Sequence, residues 1–91
     1  MSIKVRIPLT LRRLTGEQEV IELQAATVAD AVAAMHARYN GIRDRILDQR
    51  GQIRGSVLVF VNEEDIRFLQ NEQTPLKDGD EISIVPAFAG G

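Results

Sequence analysis

Thr27-Val28-Ala29-Asp30-Ala31-Val32-Ala33-Ala34-Met35-His36-Ala37-Arg38-Tyr39-Asn40-Gly41 is the stretch on which the fold turns. Thr27 has the character of a helix N-cap, and Asp30 stands three residues on, where a capping-box acid belongs. Val28, Val32, Met35 and Tyr39 recur at i, i+4, i+7 and i+11, which gathers them on one stripe of a helix. Ala29, Ala31, Ala33, Ala34 and Ala37 add helix propensity and let the element lie close to a sheet. Asn40-Gly41 supplies the stop. His36 neighbours the apolar stripe. The chain holds no second His and no Cys to share a metal with it, so it reads as a residue at the core boundary. A helix with a single apolar stripe needs another surface to bury that stripe.

Both flanks of the helix read as strands. Upstream, residues 2–7 alternate Ile3, Val5 and Ile7 with Lys4 and Arg6, the period of a half-buried strand, and Pro8 ends it. Leu9 to Gly16, containing Arg12-Arg13, reads as a solvated connector. Glu17 to Leu23 reads as a second strand, forming an antiparallel hairpin with the first. Downstream, Ile42 to Leu47 fits one helical turn that buries Ile42, Ile46 and Leu47. Gly55 to Asn62 is a strand apolar on both faces, so Leu58 and Phe60 need a cover other than the helix: a loop or a protein partner. Asn62 to Asp65 reads as a tight acidic turn, Ile66-Arg67-Phe68 as a short returning strand, and Leu69 to Pro75 as polar loop. Leu76 to Asp80 is a turn in which Gly79 takes positive φ, and Glu81 to Val85 is the last strand. A mixed sheet of four to five strands covered by one main helix follows, an α+β arrangement compatible with a β-grasp, with a right-handed crossover setting the strands on either side of the helix parallel.

Size and composition limit the functions available. With 91 residues the chain forms a single domain, which buries only about 60–65% of its unfolded surface and has little room for a deep catalytic cleft. Apolar residues at 44% and charged residues at 26% are ordinary globular values. A net charge of −2 makes nucleic acid a poor default partner. From Arg38 to Arg54, however, five Arg stand against two Asp, a local excess that reads first as a solvated face. The absence of Cys excludes a disulfide, a thiolate metal site and a cysteine nucleophile. No apolar run, Val57 to Val61 included, is long enough to span a bilayer, and the N-terminus lacks a signal-type apolar region. A cytoplasmic protein without membrane or nucleic-acid contacts is the expectation.

Catalytic sets are missing as well. Asp78 and Asp80 flank a glycine, but the loop lacks the length and the closing Glu of a calcium-binding loop, and a turn before a strand explains it. There is no phosphate-cradling glycine loop, no nucleophile elbow and no Ser/His/Asp set. What the chain does carry is its end, Pro86-Ala87-Phe88-Ala89-Gly90-Gly91. Without side chains, Gly90 and Gly91 can thread a narrow channel and present the terminal carboxylate. Pro86 stiffens the exit from the last strand and limits the entropy lost on docking. Phe88 is an aromatic anchor for a partner pocket, worth about 2 kcal/mol or more on truncation; packing back on its own sheet is the alternative.

The run Asp78-Gly79-Asp80-Glu81-Ile82-Ser83-Ile84-Val85 leading into that tail resembles the ubiquitin-like sulfur carriers of the MoaD/ThiS family, as does Val61-Asn62-Glu63-Glu64-Asp65-Ile66-Arg67-Phe68. Ile7-Pro8, Leu11-Arg12 and Thr15-Gly16 add a likeness to the CysO-type carriers of cysteine biosynthesis within it. The resemblance spans the whole chain and implies a β-grasp domain over residues 1–91 with a flexible Gly-Gly tail at 86–91. It implies that Gly91 is adenylated by a ubiquitin-activating-type enzyme using ATP and becomes a thiocarboxylate, while Gly90, Ala89 and Pro86 thread the partner's channel. Phe88, Phe60 and Leu58 would dock. A cysteine-synthase-type enzyme would receive the sulfur and a metalloprotease would release the product. A MoaD-type carrier would instead dock on the large subunit of molybdopterin synthase. No bound cofactor or metal is implied. The family often has a smaller aliphatic residue where Phe88 stands.

Overall fold

The computed structural model describes residues 1–86. β1 (Ser2–Arg6) buries Ile3 and Val5 and turns Lys4 and Arg6 to solvent. β2 (Val20–Gln24) pairs with it antiparallel, Leu23 opposite Ile3 and Ile21 opposite Val5, so the apolar halves of both alternations meet on one face. That face is where α1 (Val28–Arg38) lies, burying Val28, Ala31, Val32 and Met35. The Thr27 hydroxyl accepts the Asp30 N–H at 3.1 Å, the capping bond anticipated from sequence. Tyr39 terminates α1, and Gly41, at φ 88°, starts the short α2 (Ile42–Ile46), in which Ile42 and Ile46 are fully buried.

β3 (Val57–Val61), β4 (Glu64–Asp65) and β5 (Glu81–Pro86) complete a sheet of order β2-β1-β5-β3-β4. β1 and β5 are parallel and the other neighbouring pairs antiparallel. It follows that β2 and β3, the strands on either side of the helix in the chain, run in the same direction, as expected. The last strand thus enters the middle of the sheet. Ile82 and Ile84 sit in the core beside Val5 and Val59. The turn that feeds β5 is pinned to the chain start: Asp78 accepts the Ser2 N–H at 2.8 Å and the Gly79 N–H donates to the Ser2 carbonyl at 2.7 Å. Gly79 has φ 88°, as its turn requires.

Four places differ from the sequence reading. Leu9–Thr15 is a 3₁₀ helix rather than a solvated connector, and it buries Leu11 and Thr15. The Thr15 hydroxyl lies 3.1 Å from the Arg12 and Gln18 carbonyls, which satisfies it inside the core. Ile66–Phe68 is a 3₁₀ turn rather than a strand, and the returning strand is only the two-residue β4. The reason lies in Asp65, whose carboxylate accepts the Arg67 N–H at 2.9 Å and bends the chain out of the ladder. Ile66 drops into the core, and Phe68, expected in the same strand, is 82% exposed. Finally, Asn71–Gln73 forms a further 3₁₀ turn inside the polar loop, and Pro86, assigned from sequence to the tail, closes β5.

Candidate functional site

The carboxyl end of β5 is the place to look, because it is where the described chain points toward Gly91. Val57 lies opposite Pro86, Leu58 opposite Val85 and Phe60 opposite Ser83. The Asn62 N–H donates to the Glu81 carbonyl at 2.9 Å, which sets the alternation of the antiparallel ladder. By that alternation Pro86 falls in a non-hydrogen-bonded pair with Val57, and β1, on the other side, pairs with β5 only as far as Ser83. A residue without an N–H therefore leaves no ladder bond unmade at that position. Proline stiffens the exit at no cost to the sheet.

The outer face of the sheet, away from α1, is built by the same register. Val20, Arg6, Ser83, Phe60 and Asp65 form one row across all five strands. Leu58 and Val85 pair in the next row toward the rim from which the tail continues. Leu58 and Phe60 are half-buried and Val85 is 39% exposed, an apolar patch beside the tail root. The sequence singled out Leu58 and Phe60. Val85, which the sequence reading did not single out, joins them on this face, as the alternation Ser83, Val85 against Ile82, Ile84 implies. Charged groups frame the patch: Arg6 donates to Glu81 at 2.8 Å and stands 3.6 Å from Glu19. The hydrogen bond that Glu81 accepts, and then its charge, hold the Arg6 proton more tightly than usual.

Other predicted positions resolve into local structure. Asp80 accepts the Lys77 N–H and the Asn62 amide, each at 2.8 Å, and Asp78 is occupied by Ser2, so this pair serves the turn. His36 is exposed on α1. Among the described residues no group of three or more His, Cys, Asp or Glu is disposed to hold a metal ion, and no helix is long and apolar enough to cross a membrane. Phe88, Ala89, Gly90 and Gly91, the remaining predicted site residues, lie outside the described residues. The described part of the site is thus a rigid strand end, a stiff exit and an apolar patch.

The model of the family described as the ThiS family matches residues 5–91. Over the full length of both chains the sequence is 37% identical to the sulfur carrier protein CysO of Mycobacterium tuberculosis. It is 30% identical, again over all of both chains, to small archaeal modifier protein 3 of Haloferax volcanii. In the crystal structure of the Amycolatopsis orientalis BexX/CysO complex, a chain 36% identical in sequence superposes with a TM-score of 0.92, covering 98% of this chain and 99% of that one.

Proposed function

This chain belongs to the ThiS family, and from that premise we propose that it is a sulfur carrier whose working atom is the Gly91 carboxyl carbon. The observation that carries the reading is the full-length identity to a CysO sulfur carrier, together with a Gly-Gly end placed five residues beyond the close of a central strand. A carboxylate is a poor electrophile. In the proposed cycle a ubiquitin-activating-type enzyme supplies ATP; the Gly91 carboxylate oxygen attacks the α-phosphorus, and pyrophosphate departs. A sulfur donor then attacks the acyl carbon, AMP leaves, and a thiocarboxylate remains. The likeness to CysO favours delivery of that sulfur to a cysteine-synthase-type enzyme, with a metalloprotease releasing the product. The protein performs no catalysis in this cycle; it is a cytoplasmic carrier on which partner enzymes act.

In this scheme the fold has two tasks. It fixes the tail root, through Pro86 and the β5 ladder, so that little chain entropy is lost when the tail enters a partner. It also presents Leu58, Phe60 and Val85 for contact beside that root, with Phe88 as an anchor in the tail. Gly90 and Ala89 pass through the narrowest part of the channel.

A second reading has its own support. The identity to a small archaeal modifier protein fits a ubiquitin-like modifier joined through Gly91 to lysines of other proteins. A MoaD-type role would keep the thiocarboxylate and change the acceptor to a pterin precursor. Incubation with the activating enzyme, ATP and a sulfide source separates the carrier readings from the modifier reading. The carrier reading requires the oxygen-to-sulfur mass difference on the intact chain. High-mass adducts in cell lysate that resist thiol reagents, without that mass change, would replace it with the modifier reading.

A further inference from the structure

The arginine-rich segment behind β3 is absorbed neither by the core nor by the tail. Arg43, Arg45, Arg50 and Arg54 are all exposed, and none takes part in the three ion pairs between described residues. Local structure draws them together. The Arg54 N–H donates to the Ile46 carbonyl at 2.9 Å, and its Nε donates to the Asp44 carbonyl at 2.8 Å. These bonds press Arg54 against α2, the helix that carries Arg43 and Arg45. Arg50 sits in the turn just beyond, where the Asp48 carboxylate accepts the Arg50 and Gln52 N–H groups at 2.8 and 3.0 Å. Asp48 thus orders the turn and keeps its charge near Arg50 and Arg54, so these four Arg stand against two carboxylates, Asp44 and Asp48.

The ridge reaches the tail root. The Val57 N–H donates to the Arg54 carbonyl at 3.0 Å, and Val57 is the residue opposite Pro86. On the other side of β3 from β5, between residues 52–59 and 65–72, lies a cavity of about 330 Å³ that Gln52, Arg54, Val57, Arg67, Asn71 and Glu72 help to line. Its acids are engaged: Glu72 accepts the Ile53 N–H at 2.8 Å, and Asp65 holds Arg67 at 2.7 Å. The groups left to meet a visitor are the outer nitrogens of Arg54 and the amides of Gln52 and Asn71. Donors with planar, forked geometry suit carboxylates.

We propose that this ridge, with the donor-lined cavity beside it, docks an acidic face of the enzyme that activates the tail. The inference rests on the carrier reading and deepens it by assigning a second contact, which adjoins the apolar patch at Leu58, a residue that also lines the cavity. A protein face is favoured over a polynucleotide by the charge layout. Glu63, Glu64, Asp78 and Asp80 crowd the far end of the sheet and would repel a continuous polyanion. A folded partner can set its carboxylates against the ridge alone.

The test is ATP–pyrophosphate exchange by the activating enzyme of the same organism, with the full-length carrier varied in concentration at low and high potassium chloride. The variants are R43E/R50E and R43Q/R50Q; neither side chain makes a hydrogen bond among the described residues, so the melting temperature is expected to hold. The expected result is a KM for the carrier raised about tenfold or more in R43E/R50E, a smaller rise in R43Q/R50Q, and little change in kcat. The wild-type KM should climb with salt, while that of R43E/R50E should not. An unchanged KM in a folded R43E/R50E overturns the ridge. Exchange by the wild-type chain in the same assay shows that the tail is activated, the step the carrier reading requires, whichever way the ridge is decided; no exchange removes both.

Discussion

Glu63 shows how one residue can be strained where the fold demands a turn. Val61 pairs with Glu64 across a two-residue loop, and Asn62 and Glu63 in that loop have φ of 49° and 75°. Both central residues lie in the left-handed region, the conformation of a type I′ hairpin turn, for which Asn-Gly is the favoured pair. Asn62 suits its place, and its side chain also bonds Asp80 and the Glu81 N–H. Glu63 does not. Replacing Glu63 by Gly should stabilise the protein by about 1 kcal/mol, measured by urea unfolding. Next to it, Asp65 is a pH-sensitive point. Its carboxyl is held below the ordinary range, first by the Arg67 side chain and then by the Arg67 N–H. A group with a depressed folded-state pKa stabilises at pH above its unfolded value, about 3.9, and that contribution is lost as pH falls further. Stability should therefore drop on acidification below about pH 4, and D65N should show a shallower drop.

At the scale of elements, what could be read from sequence depended on whether the signal was local. α1 was legible because its cap, stripe and stop all lie within fifteen residues. Thr27→Ala should cost about 1 kcal/mol in thermal unfolding by removing the capping bond, with the Thr27→Ser variant close to wild type. The parallel placement of β1 and β5, and the fully apolar β3, were also legible, from connection rules and from composition. The segment at 66–68 was not. Ile-Arg-Phe alternates like a strand, and only the Asp65 side chain, by capturing the Arg67 N–H, ends the ladder after two residues. The 3₁₀ helix at 9–15 was hidden for the opposite reason. It has too few residues to show a period, and the buried hydroxyl of Thr15 looks polar in sequence. Of the candidate site, the exposure of an apolar sheet face at Leu58 and Phe60 was legible from the composition of β3, whereas the row that joins Arg6, Ser83 and Phe60 depends on register between strands distant in sequence.

Over the whole molecule the proposed function separates a packed body from a working end. Ile3, Val5, Met35, Ile42, Ile46 and Ile82 build the core among the described residues. Charge is divided along the same molecule, basic on the ridge behind β3 and acidic around Asn62–Asp65 and Asp78–Glu81, while the apolar patch lies on the opposite face of the sheet from α1. Such an arrangement suits a protein that is handled by others, gripped by its surfaces while its end is worked upon. The central claim is that chemistry happens at the Gly91 carboxyl group. Its most direct test is the intact mass of the full chain and of a chain lacking Gly91, each incubated with the activating enzyme, ATP and sulfide. The account predicts that the full chain alone gains the oxygen-to-sulfur difference, while both chains melt at the same temperature. Gain of that mass by the chain lacking Gly91, or its absence from the full chain, would contradict it.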